Sequence, residues 1–330
     1  MILASSQVQT VEPNLFGRGY TSMFAPQRLT IGVYFPLEAY VGAEPLMHDQ
    51  IKLAQQADRL GFAALWARDV PLNDPTFGDL GQIYDPFVWL ATIAAQTHTI
   101  ALATGAVILP LHHPIDVAKA AASLDHLSGG RFVFGVASGD RPVEYPAYGR
   151  DAGQRADLFR DAFDYTEALL TKRFPHHASA HYGRLSGGGD LVPKPLTSRL
   201  PVLVTGQSQQ SLDWIAQRSD GWVTYPRDLL KQAQVVSQWR EALRRAGAGF
   251  KPLAQSLYLD LTDNPDAPPR PIHLGYRLGQ RRLVDLLGEL RTHGVNHVAL
   301  NLKFSQRPVA DVLEEIGRDV LPHFSVADAP

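Results

Sequence analysis

Residues 125–149 read DHLSGGRFVFGVASGDRPVEYPAYG. Ser128-Gly129-Gly130 ends a helix, because glycine reaches the left-handed backbone region without a Cβ penalty. The run RFVFGVA at 131–137 is short, apolar and rich in β-branched and aromatic residues, the pattern of a strand buried on both faces. Ser138-Gly139-Asp140 then places small and polar groups where a parallel strand ends, the edge at which ligands gather in α/β folds. A helix-turn-strand unit that holds no ligand satisfies the same stretch equally well.

Outward from this unit the same alternation repeats. Apolar strand-like runs fall at 29–35 (LTIGVYF), 63–66, 100–109, 131–137, 201–205 (PVLVT), 221–224, 256–261 and 297–302 (HVALNL). Helical periodicity follows each. Met47, Ile51 and Ala54 share a face ended by Gly61, and Asp85-Pro86 and Pro114 open the next two helices. Ile115, Ala118 and Ala122 line up in the second of these. Residues 154–170 carry an apolar face so wide that part of it is expected to meet a second subunit. Later stripes run through Leu212, Ile215 and Ala216, through Val235, Trp239 and Ala242, through Leu283 to Leu290, and through Val309 to Val320. Residues 176–194 and 264–275 read as irregular loops. Repeated strand-helix units predict an α/β protein, a closed (β/α)8 TIM barrel over 28–330 with loop insertions at its C-terminal face. A doubly wound sheet would prefer a glycine fingerprint after the first strand, and GVYFPLEAY has none. Residues 1–27 are polar and aperiodic, an N-terminal arm that could cap the barrel bottom or a partner subunit.

Composition narrows the function. The 330 residues are 45% hydrophobic and 19% charged with net charge −2, so no basic footprint for nucleic acid or anionic lipid is present. The absence of cysteine removes disulfides, thiolate nucleophiles and cysteine metal sites. No basic-then-apolar leader and no apolar run near the ~20 residues of a membrane span is seen, which predicts a cytoplasmic protein. His112-His113, before Pro114, reads as a loop-shaping pair, and the histidines at 176, 177 and 181 lack zinc-binding spacing, so no metal is expected.

Candidate chemistry gathers past the strand ends. Tyr34 follows the first strand, Arg68 and Asp69 the second. Thr104-Gly105-Ala106 sits within the third. Ser138, Gly139, Glu144 and Tyr148 follow the fourth, and Gly206, Gln207, Ser208 and Ser211 the fifth, with Asn301 and Lys303 after the last. The fifth loop leads into a helix, where free N–H groups and two hydroxyls suit an anion such as a phosphate. Ser208 as a plain helix cap is the competing reading.

Two blocks, ATGAVILPLHHPIDVAKAAASLDHLSGGRFVFGVASG at 103–139 and VLVTGQSQQSLDWIAQRSDGW at 202–222, resemble the luciferase-like flavin monooxygenases. The likeness runs from Leu29 to Phe324 and omits the arm. It implies a (β/α)8 barrel that binds reduced flavin mononucleotide (FMN) at the strand C-termini. Thr104, Gly105 and Ala106 would then lie beside the isoalloxazine, with Gly105–Ala106 matching the family's non-proline cis peptide. Ser138 would lie near the flavin tail, and Ser208 and Ser211 would hold the phosphate, framed by Gly206 and Gln207. Gly139, Glu144 and Tyr148 complete the cofactor-side set. Bacterial luciferase has cysteine and arginine where this chain has Ala137 and Ser138, and a histidine where it has Val70. The luciferase reaction therefore does not carry over. Arg68, Asp69 and Tyr34 are left as catalytic candidates, to orient a substrate or support the oxygen chemistry of the flavin.

The resemblance implies a two-component monooxygenase: an NAD(P)H:flavin reductase supplies reduced FMN, oxygen is activated, and a small organic substrate is oxygenated. A homodimer is expected. The alternatives are a deazaflavin-dependent oxidoreductase of the same superfamily, disfavoured because no basic run flanks the phosphate loop, a non-catalytic flavin-binding protein, and an unrelated barrel enzyme acting on a phosphorylated sugar.

Overall fold

A computed structural model describes residues 15–74 and 84–324. The first fourteen residues of the expected arm lie outside that range. The barrel strands are β1 (Thr30–Tyr34), β2 (Ala64–Ala67), β3 (Ala101–Thr104), β4 (Phe132–Ala137), β5 (Val202–Thr205), β6 (Gly221–Thr224), β7 (Leu253–Leu261) and β8 (His297–Asn301). Each pairs in parallel with its neighbours, and Ile31 opposite Val298 closes the ring between β1 and β8. The following helices are α1 (Gln50–Leu60), α2 (Pro86–Ala94), α3 (Pro114–Leu127), α4 (Arg155–Thr171), α5 (Leu212–Arg218), α6 (Leu229–Arg245), α7 (Gln280–His293) and α8 (Val309–Asp319). The protein is a TIM barrel. None of its described helices is long and apolar enough to cross a membrane.

Strand alternation divides the core in two. Outward residues such as Val33, Leu65, Leu102, Phe134, Val204 and Val298 pack beneath the helices. Inward residues are mostly small, Ala64, Ala101, Ala103, Ala254 and Ala299, and leave room for Trp66 and Tyr34. Gly32 also faces inward, and a Cβ there would stand 2.8 Å from His297 Nε2. That imidazole accepts from Trp66 Nε1 at 3.0 Å, so its Nδ1 carries the proton and donates to Thr30 Oγ1 at 2.7 Å. Thr30 in turn donates to the Met23 carbonyl at 2.8 Å.

Met23 belongs to a short helix, Arg18–Met23, that stoppers the N-terminal end of the barrel. Tyr20, Met23 and Phe24 are buried in the inward core. The Tyr20 hydroxyl bonds the Asp220 carbonyl at 2.7 Å, just before β6, and Asn296, just before β8, reaches the Ala25 and Arg28 carbonyls. The segment thus touches the starts of several strands.

Several sequence expectations change. Arg131 lies outside β4: its guanidinium bonds the Ala94, Thr97 and Ile100 carbonyls and the Thr97 hydroxyl, capping the exit of α2. The third strand region breaks after Thr104 and resumes as Val107–Ile108, with a cis Gly105–Ala106 peptide between. Ile115 is exposed, and Val117 and Ala121 take the buried face. Residues 176–194 contain an antiparallel hairpin, His176–Ala178 with Arg184–Ser186. Residues 264–275 lead into a second hairpin, Arg270–Ile272 with Gly275–Leu278, whose inner strand, Gly275–Leu278, runs parallel to β7. Finally, the wide face of α4 is covered by its own chain. Phe163 meets Trp214 at 5.2 Å and Tyr165 meets His177 at 5.2 Å between ring centres, and the apolar residues of the helix are buried within the chain itself.

Candidate active site

The C-terminal mouth of the barrel holds a cavity of about 610 Å³. That is within the ~300–1,000 Å³ of pockets that bury small molecules and cofactors. Of the sequence candidates, Arg68, Asp69, Gly105, Ala106, Ser138, Gly139, Gly206, Gln207 and Ser208 line it. Tyr34 lines a smaller pocket directly below, which shares Arg68 and Gly105 with the cavity.

The floor is backbone. A Cβ on Gly105 would lie 2.7 Å from Tyr34 Oη and 2.8 Å from Trp66 Cε3, so the two aromatic rings press the bare peptide against the cavity. Asp69 grips this bulge from both sides: its N–H donates to the Ala106 carbonyl at 3.3 Å, and its Oδ2 accepts from Ile108 N–H at 3.0 Å. The same Oδ2 accepts from His112 Nε2 at 2.6 Å. Burial works against a charged imidazole at 112, but the Asp69 hydrogen bond and the charges of Asp69, Asp85 and Glu144 prevail and raise its pKa above 6.5. The pairing of His112 with a cavity-wall carboxylate replaces the loop-shaping role expected of it.

One end of the cavity is a clasp between the loops after β4 and β5. Ser138 N–H donates to Ser208 Oγ at 3.2 Å, Ser208 Oγ donates to the Thr205 carbonyl at 2.9 Å, and Tyr145 Oη donates to the Ser138 carbonyl at 2.5 Å. Ser208 and Gln209 both have positive φ, which turns the loop sharply over the strand end. Gly139 also has positive φ, and a Cβ there would meet Ile108 Cγ2 at 2.6 Å. Arg141 and Arg155 line this end beside Gln207 and Gln209. Basic groups therefore do share the cavity with the expected phosphate loop; they come from the fourth loop and the start of α4, outside the sequence of the fifth loop. Tyr225, His273 and Leu274 also line the cavity, the last two at the tip of the hairpin beside β7.

Thr104, Ser211, Tyr148 and Glu144 lie off the cavity wall, as do Asn301 and Lys303. Thr104 is fully buried, and its hydroxyl donates to the Gly135 carbonyl at 2.8 Å and accepts from Gly135 N–H at 2.9 Å, bracing β3 against β4 where the third strand breaks. Ser211 caps α5 by accepting from Trp214 N–H at 3.1 Å, the plain role of a serine at that position. Tyr148 is exposed on the far side of His112. Glu144 is buried behind the wall, 3.8 Å from Arg141 Nη1. Burial raises its pKa to about 7, against the pull of Arg141 and with the help of Asp69 and Asp140.

The fold is an α/β barrel with a large cavity at the C-terminal mouth, a bare-backbone floor and paired side chains in its wall. Residues 29–267 match the model of the luciferase-like monooxygenases, and the chain belongs to that family. An uncharacterized protein of Mycobacterium tuberculosis (strain ATCC 25618 / H37Rv) is 35% identical over 217 residues, 61% of this chain and 72% of that protein. The oxygenase component of a flavin-dependent trigonelline monooxygenase from Acinetobacter baylyi is 31% identical over 134 residues, 40% of this chain and 36% of that protein. Monooxygenase RslO1 from Streptomyces bottropensis superposes with a TM-score of 0.74 at 18% identity, over 90% of this chain and all of that one. An F420-dependent secondary alcohol dehydrogenase gives 0.74 at 17% identity, over 90% and 99% of the two chains. The oxygenating constituent of 3,6-diketocamphane monooxygenase from Pseudomonas putida, in complex with FMN, gives 0.71 at 18% identity, over 89% and 98%.

Proposed function

We propose that this protein is the oxygenase of a two-component flavin monooxygenase, using reduced FMN and O2 on a small organic substrate. One observation carries the reading: the mouth cavity has a flat backbone floor at Gly105–Ala106 and an arginine-lined end at Arg141 and Arg155, a layout suited to a planar ring with a phosphorylated tail. Bound reduced flavin would supply the electrons that activate oxygen. The chain's own residues do the rest. Arg155, Arg141 and the 206–209 loop hold the phosphate, while the Ser138–Ser208 clasp fixes the tail end. Asp69, steadied by His112, holds the floor in register. The hairpin tip at His273 and Leu274 limits access of water to the rim. A separate NAD(P)H:flavin reductase is the expected partner, in keeping with the relative named as an oxygenase component. A cytoplasmic location and a homodimer belong to the same proposal.

A deazaflavin-dependent oxidoreductase is the second reading. Arg141 and Arg155 remove the objection that no basic side chains flank the phosphate end, and one structural neighbour is named as F420-dependent.

Titration of the purified protein with oxidised and reduced FMN, riboflavin and a deazaflavin separates the readings. Tightest binding of reduced FMN is the expected result. Binding of none of them sinks the proposal, and tighter binding of the deazaflavin transfers it to the second reading. Arg155→Ala should weaken FMN about tenfold or more, the scale of a lost charge-assisted contact, and leave riboflavin unchanged.

A further inference from the structure

Beneath the mouth cavity lies a second pocket of about 60 Å³, formed by the uppermost inward layer of the barrel. It has room for a group of only a few heavy atoms, since a water in the liquid takes up ~30 Å³. Its polar lining includes Tyr34, Arg68, Thr205, Ser256 and Asn301. Period-two alternation brings them together. Tyr34 continues the inward row of Thr30 and Gly32, Arg68 that of Ala64 and Trp66, Thr205 that of Leu203, Ser256 that of Ala254, and Asn301 that of His297 and Ala299.

Three of these side chains have hydrogen-bonding capacity that the described residues do not use. Thr205 Oγ1 is buried with no partner. Ser256 Oγ makes no hydrogen bond among the described residues. Asn301, which lines the pocket, accepts from Lys303 N–H through Oδ1 at 3.0 Å, and its NH2 group has no acceptor among the described residues. A buried polar atom is nearly always satisfied, so the Thr205 hydroxyl, with the unused Ser256 and Asn301 groups beside it, points to a ligand atom set that completes them. Among the described residues the lining holds a guanidinium, hydroxyls and an amide, and no acidic side chain. Its chemistry is that of donors plus one positive charge.

We infer that this pocket receives the carboxylate of an organic-acid substrate, held by Arg68 and by the Thr205, Ser256 and Asn301 side chains below the cofactor cavity. The inference rests on the oxygenase reading for calling the ligand a substrate; the anion pocket itself does not depend on flavin. The carbon skeleton would extend upward past Gly105 and Leu274, which line both spaces.

The test uses flavin-free protein and two probes of the same size, benzoate and benzamide, followed by calorimetry. Benzoate should bind at least about tenfold more tightly than benzamide, as expected when charge-assisted hydrogen bonds are lost with the charge. Ser256→Ala and Asn301→Leu should each weaken benzoate about tenfold and leave benzamide unchanged. Their melting curves and FMN titrations guard against misfolding, with Ser256→Ala as the milder change. Equal binding of the two probes overturns the inference. So does benzoate binding that survives both variants but is lost in Arg155→Ala, which would move the anion to the phosphate end. Loss of FMN affinity in the two variants with benzoate unaffected overturns it as well, because the pocket would then serve the flavin. Failure of the oxygenase reading shows separately, as absence of flavin binding with the benzoate pattern intact.

Discussion

Two histidines tie the stability of the fold to pH, in opposite directions. His112 donates to Asp69, and its pKa is raised despite burial because the Asp69 bond and nearby carboxylates favour the charged ring. The groups around it are Asp69, Asp85, Glu144 and Tyr148. A raised basic pKa stabilises the fold fully below the unfolded value, here 6.5, and that contribution disappears as pH rises through the folded pKa. His112→Gln should therefore cost about 1.5–3 kcal/mol at pH 6, the scale of a charge-assisted bond, and much less at pH 9, as read by denaturant unfolding at both pH values. His297 is the reverse. It is fully buried, accepts from Trp66, and has its pKa pushed down to about 3 by burial. The unfolded chain binds a proton there between about 3 and 6.5 that the folded chain refuses, so stability falls as pH drops through that window. The slope from this one group is about 1.4 kcal/mol per pH unit. In His297→Asn the acid limb of the stability curve should be shallower by that amount, whatever the variant's absolute stability.

At the level of elements, the short helix Arg18–Met23 and the bulge at Gly105 sit at opposite ends of one packed column. Met23, Thr30, His297 and Trp66 are joined by hydrogen bonds, and Trp66 abuts Gly105. Tyr20→Ala should cost about 3–5 kcal/mol, as large aromatic truncations in cores do. Because Trp66 heads the column, its fluorescence should shift in the folded variant; an unchanged spectrum would show that the two ends are independent. The strands and helices were legible because their apolar periods differ, and eight repeats of that contrast admit few architectures. Tyr34, Arg68 and Gly105 were legible for the same reason: each follows a strand closely. The Asp69–His112 pair was not, because it joins side chains 43 residues apart on two different loops, and no local pattern encodes that meeting. Ser211 was ambiguous in principle, since a hydroxyl that caps a helix and one that holds a phosphate occupy the same sequence position. Arg155 was hidden because the first residue of a long amphipathic helix looks like ordinary surface charge.

For the whole molecule, the covered face of α4 withdraws one reason for expecting a dimer, and the expectation now rests on the family resemblance. Light scattering checks it: a dimer should read twice the 36.3 kDa of the chain, and a value of 36.3 kDa would count against that part of the proposal. The barrel is also asymmetric along its axis. Tyr20, Met23 and Phe24 are packed into the N-terminal end with at most 2% of their surfaces exposed. The larger cavity opens at the mouth and shares Arg68, Gly105, Thr205, Tyr225 and Leu274 with the small pocket, so a ligand would reach the small pocket through it. A molecule seated in the front room bars the back one. Traffic would have to follow a compulsory order, with the deep ligand first to arrive and last to leave, so that turnover slows when the front occupant is supplied in excess.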